Sequence, residues 1–162
     1  MPAERELEAD VRRTLRMLLY SASGDAPVDA RWRYLLAPGE GLLGGLTDPA
    51  SLPNWLTEPD LDYLSGEFTR TGFRGGLNWY RNIDHRWEQT PFLNGAMLNQ
   101  PALFIAGDAD AVITMRRAAF DNLERTVPRL TRKVLLPGAG HWVQQERPQE
   151  VSRLLIEFVC AV

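Results

Sequence analysis

The sequence contains one cysteine and two histidines, so several kinds of site have little to build on. A single cysteine, Cys160, excludes an internal disulfide. We expect Cys160 to be a small core residue on the apolar side of a final helix. One cysteine and two histidines do not make a metal-binding set, so the sequence predicts no metal site and no cofactor.

Long apolar runs and blocks of positive charge are also missing. No apolar run approaches the length of a transmembrane helix, and the N-terminus is acidic rather than signal-like. Lys and Arg number 18 against 21 Asp and Glu, which gives a net charge of −3. A basic footprint for nucleic acid or for an anionic membrane is therefore not expected. We expect a soluble, cytoplasmic protein that binds neither nucleic acid nor membranes.

The first part of the chain has the patterns of helices. Leucine and valine recur at helical spacing over residues 2–21, which predicts one helix there. Residues 24–59 are rich in proline and glycine, which predicts a long connection that is either a functional lid or an irregular surface excursion. Tyr80 lies on an apolar helical stripe, as a packed core tyrosine or as a functional hydroxyl. Further helical segments are predicted over residues 31–36 (one turn), 60–70 and 76–88.

The second part of the chain alternates strand and helix. Residues 101–106 and 133–136 are short apolar runs ended by glycine or by proline and glycine, as is typical of buried parallel strands. Residues 115–126 between them have a helical pattern, and residues 148–159 predict a closing helix that buries Leu155 and Val159 with its other apolar residues. Strand–helix–strand units with a right-handed crossover build parallel sheets, so the predicted fold class is α/β.

These patterns divide the chain at about residue 90. Residues 1–90 form a predicted helical module, and residues 91–162 form a β-α-β-α segment. Two strands with two helices leave a strand edge unpaired and part of the sheet uncovered. The sequence therefore has the pattern of the second half of a larger protein, and we expect self-association or aggregation when it is expressed alone.

An acid and a histidine follow the two predicted strands. Asp110 lies in the loop after the first strand, and His141 lies in the loop after the second. The carboxyl ends of parallel strands meet at one edge of a sheet, so these side chains can meet in space. A carboxylate fixes the tautomer of a histidine and stabilises its imidazolium, as in a catalytic triad. Taken singly, an aspartate such as Asp110 is more often a turn residue or a helix cap, and a histidine such as His141 is more often structural.

Several motifs resemble those of one family. The segment SGEFTRTGFRGGLNWYRN at residues 65–82 resembles the cap-domain signature of the soluble epoxide hydrolases, which are α/β-hydrolases with a helical lid. The GDAD loop at 107–110 and the GAGHW loop at 138–142, with QERP behind it, resemble the same family. The resemblance implies an incomplete α/β-hydrolase fold. Residues 1–90 would be the cap, and residues 91–162 the C-terminal part of the core.

The resemblance also implies a reaction. In this family an aspartate attacks an epoxide carbon and forms an ester, while two cap tyrosines hydrogen-bond the epoxide oxygen. A His–Asp pair then activates the water that hydrolyses the ester to a vicinal diol. By position in the motifs, Tyr80 resembles one of the tyrosines, Asp110 rather than Asp108 the orienting acid, and His141 the general base. The implied substrate is a small apolar epoxide.

The chain departs from the family pattern at the nucleophile. The family's aspartate has glycine two residues before and two residues after it. In this sequence only Leu43 and Arg74 have glycine at both positions, and neither is a nucleophile. We therefore expect no steady turnover of epoxides by this chain alone. A haloalkane dehalogenase, an esterase and a non-catalytic remnant are the alternatives, although Tyr80 and the absence of a serine elbow argue against the first two.

Overall fold

A computed structural model describes residues 2–33 and 36–161 of the chain. The chain forms two compact units. Unit 1 comprises Met1–Ser21 and Ala26–Pro91, and unit 2 comprises Ala22–Asp25 and Phe92–Val162. Within the described ranges, no helix combines the length and the apolar character that crossing a membrane requires.

Unit 1 is built from helices. Short 3-10 turns at Val28–Ala30 and Leu42–Gly45 lie in the predicted connection between the second and third helices. The helical turn predicted over 31–36 includes Tyr34 and Leu35, which lie outside the described residues. The α-helices of unit 1 are α1 (Pro2–Glu8), α2 (Val11–Ser21), α3 (Glu58–Thr71), α4 (Arg74–Arg81) and α5 (Ile83–Gln89).

Two helices that the sequence predicted as continuous are each divided in the structure. The helix predicted over residues 2–21 breaks into α1 and α2, because the Asp10 carboxylate accepts a hydrogen bond from the Arg13 N–H (2.9 Å) and caps a new helix. The helix predicted over 76–88 breaks at Asn82. The Asn82 side chain donates to the backbone carbonyl four residues earlier (2.8 Å), so it competes with the helical pattern.

The core of unit 1 lies where α2 and α3 pack together. α3 begins with a capping box: the Thr57 hydroxyl accepts from the Asp60 N–H, and the Asp60 carboxylate accepts from the Thr57 N–H (3.1 Å). The first core residue of α3, Leu61, is completely buried. The buried apolar residues of unit 1 are Leu7, Leu15, Met17, Leu19, Ala26, Leu56, Leu61 and Phe73.

Unit 2 contains the predicted parallel sheet. Its strands are β1 (Ala102–Gly107) and β2 (Leu130–Leu136), which pair in parallel and bring Gly107 opposite Leu136 at their carboxyl ends. Both predicted strands are thus confirmed, with β2 starting three residues early. The α-helices of unit 2 are α6 (Ala111–Met115), α7 (Arg117–Asp121), α8 (Val143–Glu146) and α9 (Pro148–Ala161).

The crossover between the strands differs from the prediction of one helix over 115–126. It consists of α6, α7 and a 3-10 turn at Leu123–Arg125. The helical path starts four residues earlier because the Asp110 side chain caps α6. It is interrupted near Asn122, whose side chain donates to the Ala118 carbonyl (2.8 Å). The prediction of one continuous helix over residues 115–126 was therefore wrong.

The core of unit 2 lies between the sheet and α9. It consists of Leu136, Ala139, Val151 and Leu154, with partly buried neighbours from both strands. Leu155 and Val159 are exposed, so the prediction that α9 buries them was wrong. The reason is that only one narrow face of α9 is buried. The prediction for Cys160 was also wrong, because this residue is exposed rather than packed in the core.

Candidate active site

The sheet places two loops beside each other. Because β1 and β2 are parallel and in register at Gly107 and Leu136, the loops that follow them leave the same edge. The Asp108 carboxylate accepts a hydrogen bond from the Gly138 N–H (2.8 Å), and the Ala109 N–H donates to the Ala139 carbonyl (2.9 Å). The two loops are thus joined by hydrogen bonds between residues that lie one to three positions before Asp110 and His141.

Asp110 is held by two hydrogen bonds that fix its orientation. One carboxylate oxygen, Oδ1, accepts from the Val112 N–H (2.8 Å), as the N-cap of α6. The other oxygen, Oδ2, lies 3.1 Å from Nδ1 of His141. Asp110 is buried, and both of its oxygens have partners. The structure therefore brings together the acid and the histidine that the sequence singled out.

His141 is held by its backbone and keeps an accessible ring. Its backbone N–H donates to the carbonyl oxygen of Ala22 (2.9 Å), and its ring packs edge-to-face with that of Trp142, with centroids 5.0 Å apart. The side chain is 47% exposed. Since Nδ1 faces the Asp110 carboxylate, the second ring nitrogen, Nε2, is the one positioned to exchange a proton with a reactant.

Asp110 and His141 shift each other's pKa values. The hydrogen bond to Asp110 raises the pKa of His141 above its ordinary value of 6.5, with partial burial opposing the shift and the charges of Asp110 and Glu146 adding to it. Burial alone would raise the pKa of Asp110, but hydrogen bonds from His141 and Val112 outweigh burial and hold that pKa below 3.8. A carboxylate that stabilises an imidazolium is the arrangement a general-base histidine requires.

The His141 loop packs closely against a segment that the sequence did not indicate. Residues 22–25 belong to unit 2, although they follow α2 in the chain. A Cβ atom at Gly140 would lie 2.3 Å from the Gly24 nitrogen and 2.5 Å from the Ala22 oxygen. No local pattern links residues 22–25 to the histidine loop, since only the tertiary fold brings these distant segments together.

Glu146 is the second residue whose position the sequence analysis did not predict. Its carboxylate accepts hydrogen bonds from the N–H groups of Gly24 (2.9 Å), Gly140 (2.9 Å) and Trp142 (3.1 Å). The residue is only 7% exposed. Its one sequence signal is its place in the QERP segment behind the histidine loop, and that resemblance gave Glu146 no role.

Tyr80 belongs to unit 1, where it lies on α4. Its side chain is 72% exposed, so the alternative of a packed core tyrosine is wrong. Tyr80 lines an open groove of about 430 Å³ along α4 and α5. The groove residues are Gly76, Trp79, Tyr80, Ile83 and Arg86. A phenol on an apolar wall can donate a hydrogen bond, but its role with Asp110 and His141 stays a prediction.

Across residues 2–33 and 36–161, no three His, Cys, Asp or Glu side chains come together as a possible metal site. The chemistry that the arrangement supports is proton transfer by His141 with Asp110 as its partner. A parallel sheet with an acid–histidine pair on loops at its carboxyl edge is the arrangement found in α/β-hydrolases.

Comparison with known proteins identifies the family within that class. Epoxide hydrolase A of Mycobacterium tuberculosis is 47% identical over 158 residues, which are 97% of this chain and 48% of that protein. Epoxide hydrolase B of the same organism is 34% identical and covers 95% of this chain and 49% of its own length. No protein-family model matches the chain.

Solved structures lead to the same family. An epoxide hydrolase from an endophytic Streptomyces is 43% identical and superposes with a TM-score of 0.91, over 97% of this chain and 48% of that one. Epoxide hydrolase A from Mycobacterium thermoresistibile is 48% identical with a TM-score of 0.86, over 96% and 48%. Over almost its whole length this chain is homologous to epoxide hydrolases of the α/β-hydrolase class, and it spans about half the length of the curated relatives it matches.

Proposed function

We propose that this chain supplies the water-activating part of an epoxide hydrolase site. The observation that carries the proposal is the 3.1 Å contact between Nδ1 of His141 and Oδ2 of Asp110, on loops at the carboxyl edge of the sheet. Nε2 of His141 takes a proton from water, whose oxygen attacks the acyl carbon of an aspartyl ester. The ester C–O bond then breaks, and the departing alkoxide receives a proton to give the diol.

Tyr80 is proposed to act on the epoxide oxygen. The support is its exposed phenol beside the apolar side chains of Trp79 and Ile83 in the open groove. A phenol hydroxyl that donates to the oxygen stabilises the negative charge that develops when the ring opens. A small apolar epoxide fits the same wall better than a charged substrate would.

The two parts of the chain are proposed to have different roles. Residues 1–90 would act as the cap and carry Tyr80, and residues 91–162 would act as the C-terminal part of the core and carry Asp110 and His141. This proposal is supported by the all-helical elements of α1–α5 and by the parallel strands that follow them. A cytoplasmic location stays a prediction from the sequence.

The ester-forming carboxylate is proposed to come from outside this sequence. The family's glycine-flanked aspartate has no counterpart among the 162 residues, because Leu43 and Arg74 occupy the two positions with that spacing. Without the nucleophile no ester can form, so His141 has no intermediate to hydrolyse. The purified chain is therefore expected to release no diol from styrene oxide.

The decisive experiment restores a nucleophile in trans. The chain is co-expressed with the part of Mycobacterium tuberculosis epoxide hydrolase A outside the matched 158 residues, which by the family pattern would carry the aspartate. Diol formation from styrene oxide is measured by gas chromatography for the pair and for the pair with His141→Ala. We expect diol from the pair and none from the variant. No diol from the pair, or equal diol from both, would overturn the proposal.

Tyr80 is tested in the same pair with a matched control. Tyr80→Phe removes one hydroxyl from α4, and Tyr63→Phe makes the same change on α3, where the side chain is 71% exposed. We expect the first variant to lower kcat by roughly 100-fold or more, since it removes a donor to the charge that develops on ring opening. Equal rates for both variants would remove Tyr80 from the proposed site.

Self-association of the isolated chain is proposed from its exposed apolar surface. In unit 2, α9 exposes Leu155, Ile156 and Val159, and the segment before β1 exposes Met97 and Leu98. Apolar side chains of this number favour association of protein molecules in water. Size-exclusion chromatography with light scattering across a range of concentrations should show a rising mean mass. A constant monomer mass would contradict this proposal.

A further inference from the structure

Glu146 is a buried acid with no assigned role in the proposed reaction. It ends α8, and its side chain reaches back under the histidine loop. Oε2 accepts from the N–H groups of Gly24 and Gly140, and Oε1 accepts from the N–H of Trp142. These hydrogen bonds stabilise both sides, because a buried carboxylate or a buried backbone N–H group without a partner costs free energy.

These contacts surround His141 on both sides in the chain. Gly140 precedes the histidine and Trp142 follows it, and both N–H groups end on Glu146. The N–H of His141 itself donates to Ala22, in the short segment whose Gly24 is also held by Glu146. The backbone of the histidine is thereby fixed at three successive residues, directly or through this segment.

The ring of His141 depends on that backbone for its direction. Its contact with Asp110 is 3.1 Å long, so a small rotation of the loop would break the hydrogen bond. The charged groups that act on the ring are the Asp110 carboxylate, from the loop after β1, and the Glu146 carboxylate, from α8. Arg147 donates to the Gly138 carbonyl (3.1 Å), at the start of the same loop.

We propose that Glu146 is the positioning residue for His141: its carboxylate fixes the backbone on both sides of the histidine and so aims the imidazole at Asp110. The inference rests on the proposed function of His141 as the general base. Glu146 positions the ring through its hydrogen bonds to the backbone of the loop. Its negative charge also stabilises the imidazolium, as the raised pKa of His141 reflects.

The test exchanges the carboxylate for an amide. Glu146→Gln keeps the shape but replaces one acceptor oxygen by an NH₂ group, which cannot accept from the N–H that it faces. Glu150→Gln makes the same change in the first turn of α9 and serves as the matched control. The readout is an NMR titration of His141, with His85→Gln used to assign the only other histidine.

We expect Glu146→Gln to lower the titration midpoint of His141, because a nearby negative charge is lost as well as the fixed direction of the ring. We expect it also to replace the single neutral tautomer of His141 by a mixture, because the ring loses its fixed direction towards Asp110. Glu150→Gln should leave both observables unchanged. A folded Glu146→Gln protein with the wild-type midpoint and tautomer would overturn the proposal, since a purely structural residue would change stability alone.

A second measurement covers a variant that does not fold. In the wild-type chain the amide hydrogens of Gly24, Gly140 and Trp142 should exchange slowly with solvent, and fast exchange of all three would overturn the proposal.

Asp110→Asn separates this inference from the proposed function. If the His141 midpoint falls in Asp110→Asn but not in Glu146→Gln, the positioning role of Glu146 is overturned and the Asp110–His141 pair stands. If the midpoint is unchanged in Asp110→Asn, the proposed general-base pair is itself overturned.

Discussion

The close packing of the histidine loop makes a strong prediction at Gly140. Gly140→Ala adds one methyl group, which would lie 2.3 Å from the nitrogen of Gly24 and 2.5 Å from the oxygen of Ala22. Ordinary carbon contacts lie near 3.4–4 Å. The obstructing atoms belong to the backbone, so no side chain can rotate away. The two segments must therefore separate by about 1 Å.

The cost follows from what that separation disrupts. Overpacking at a tightly packed site costs about 1–3 kcal/mol. In the variant, the separation would also weaken two hydrogen bonds, from the Gly140 N–H to Glu146 and from the His141 N–H to Ala22. The loss of each costs about 0.5–1.5 kcal/mol. We expect Gly140→Ala to lower the free energy of unfolding by about 2–6 kcal/mol.

Urea unfolding followed by circular dichroism measures this change, with a matched glycine as control. Gly66 lies inside α3, and a Cβ there would meet no atom within 4 Å. Gly66→Ala should therefore raise the free energy of unfolding by about 0.5–1 kcal/mol, since alanine favours helix over glycine. The same methyl group thus has opposite expected effects at the two positions.

The contrast between the two variants gives a clear refutation. If Gly140→Ala unfolds at the wild-type urea concentration, the loop does not pack against residues 22–25 as described. A loss of stability in both variants to the same extent would show a general effect of added methyl groups. Either result would also weaken the proposed positioning of His141, because that proposal uses the same backbone contacts.

Three further predictions concern other parts of the chain. Thr57→Ala removes half of the capping box of α3 and should cost about 1 kcal/mol in urea unfolding, whereas an unchanged midpoint would show that the cap adds nothing. Asp48 has a lowered pKa because Arg16, and with it Arg13, hydrogen-bonds its carboxylate. Its stabilisation is present above pH 3.8 and is lost as pH falls through the lower folded-state pKa, so Asp48→Asn should destabilise the chain at pH 7 and approach wild type in acid; a gap independent of pH would contradict this. Cys160 should react with Ellman's reagent in the native chain without unfolding, and reaction only after unfolding would contradict its exposure.

The parts of the fold that were predictable are those governed by local patterns. Short apolar runs ended by glycine indicated β1 and β2, because a buried parallel strand needs apolar side chains on both faces. The meeting of Asp110 and His141 was predictable for a geometric reason: parallel strands end at one edge, so the loops after them are neighbours.

Helix boundaries were harder to predict because single polar side chains decide them. Asp10 and Asn82 each form a hydrogen bond to nearby backbone, and each divides a segment whose apolar spacing indicates one helix. Helical periodicity is a property of many residues, whereas a cap or a competing amide involves one. The pattern therefore indicates that a helix is present more reliably than it indicates where the helix breaks.

Burial and long-range support of the site were not predictable from spacing. Leu155 and Val159 have the periodicity of a buried face, but only a narrow part of α9 has a sheet to cover. Gly24 lies far from His141 in sequence, and its contact with Glu146 exists only in the folded chain. Such contacts depend on tertiary packing, which no local pattern encodes.

The most direct test of the Asp110–His141 pair is the NMR titration of His141 in the wild-type chain and in Asp110→Asn. Asparagine can still cap α6, so the substitution removes the charge while it keeps the loop. The pKa of His141 is raised in the folded chain, so the pair stabilises the fold fully below pH 6.5, and this stabilisation is lost as pH rises through the folded-state pKa. We predict a wild-type midpoint above 6.5 that falls in Asp110→Asn. Equal midpoints in the two proteins would contradict the pairing on which the proposed function depends.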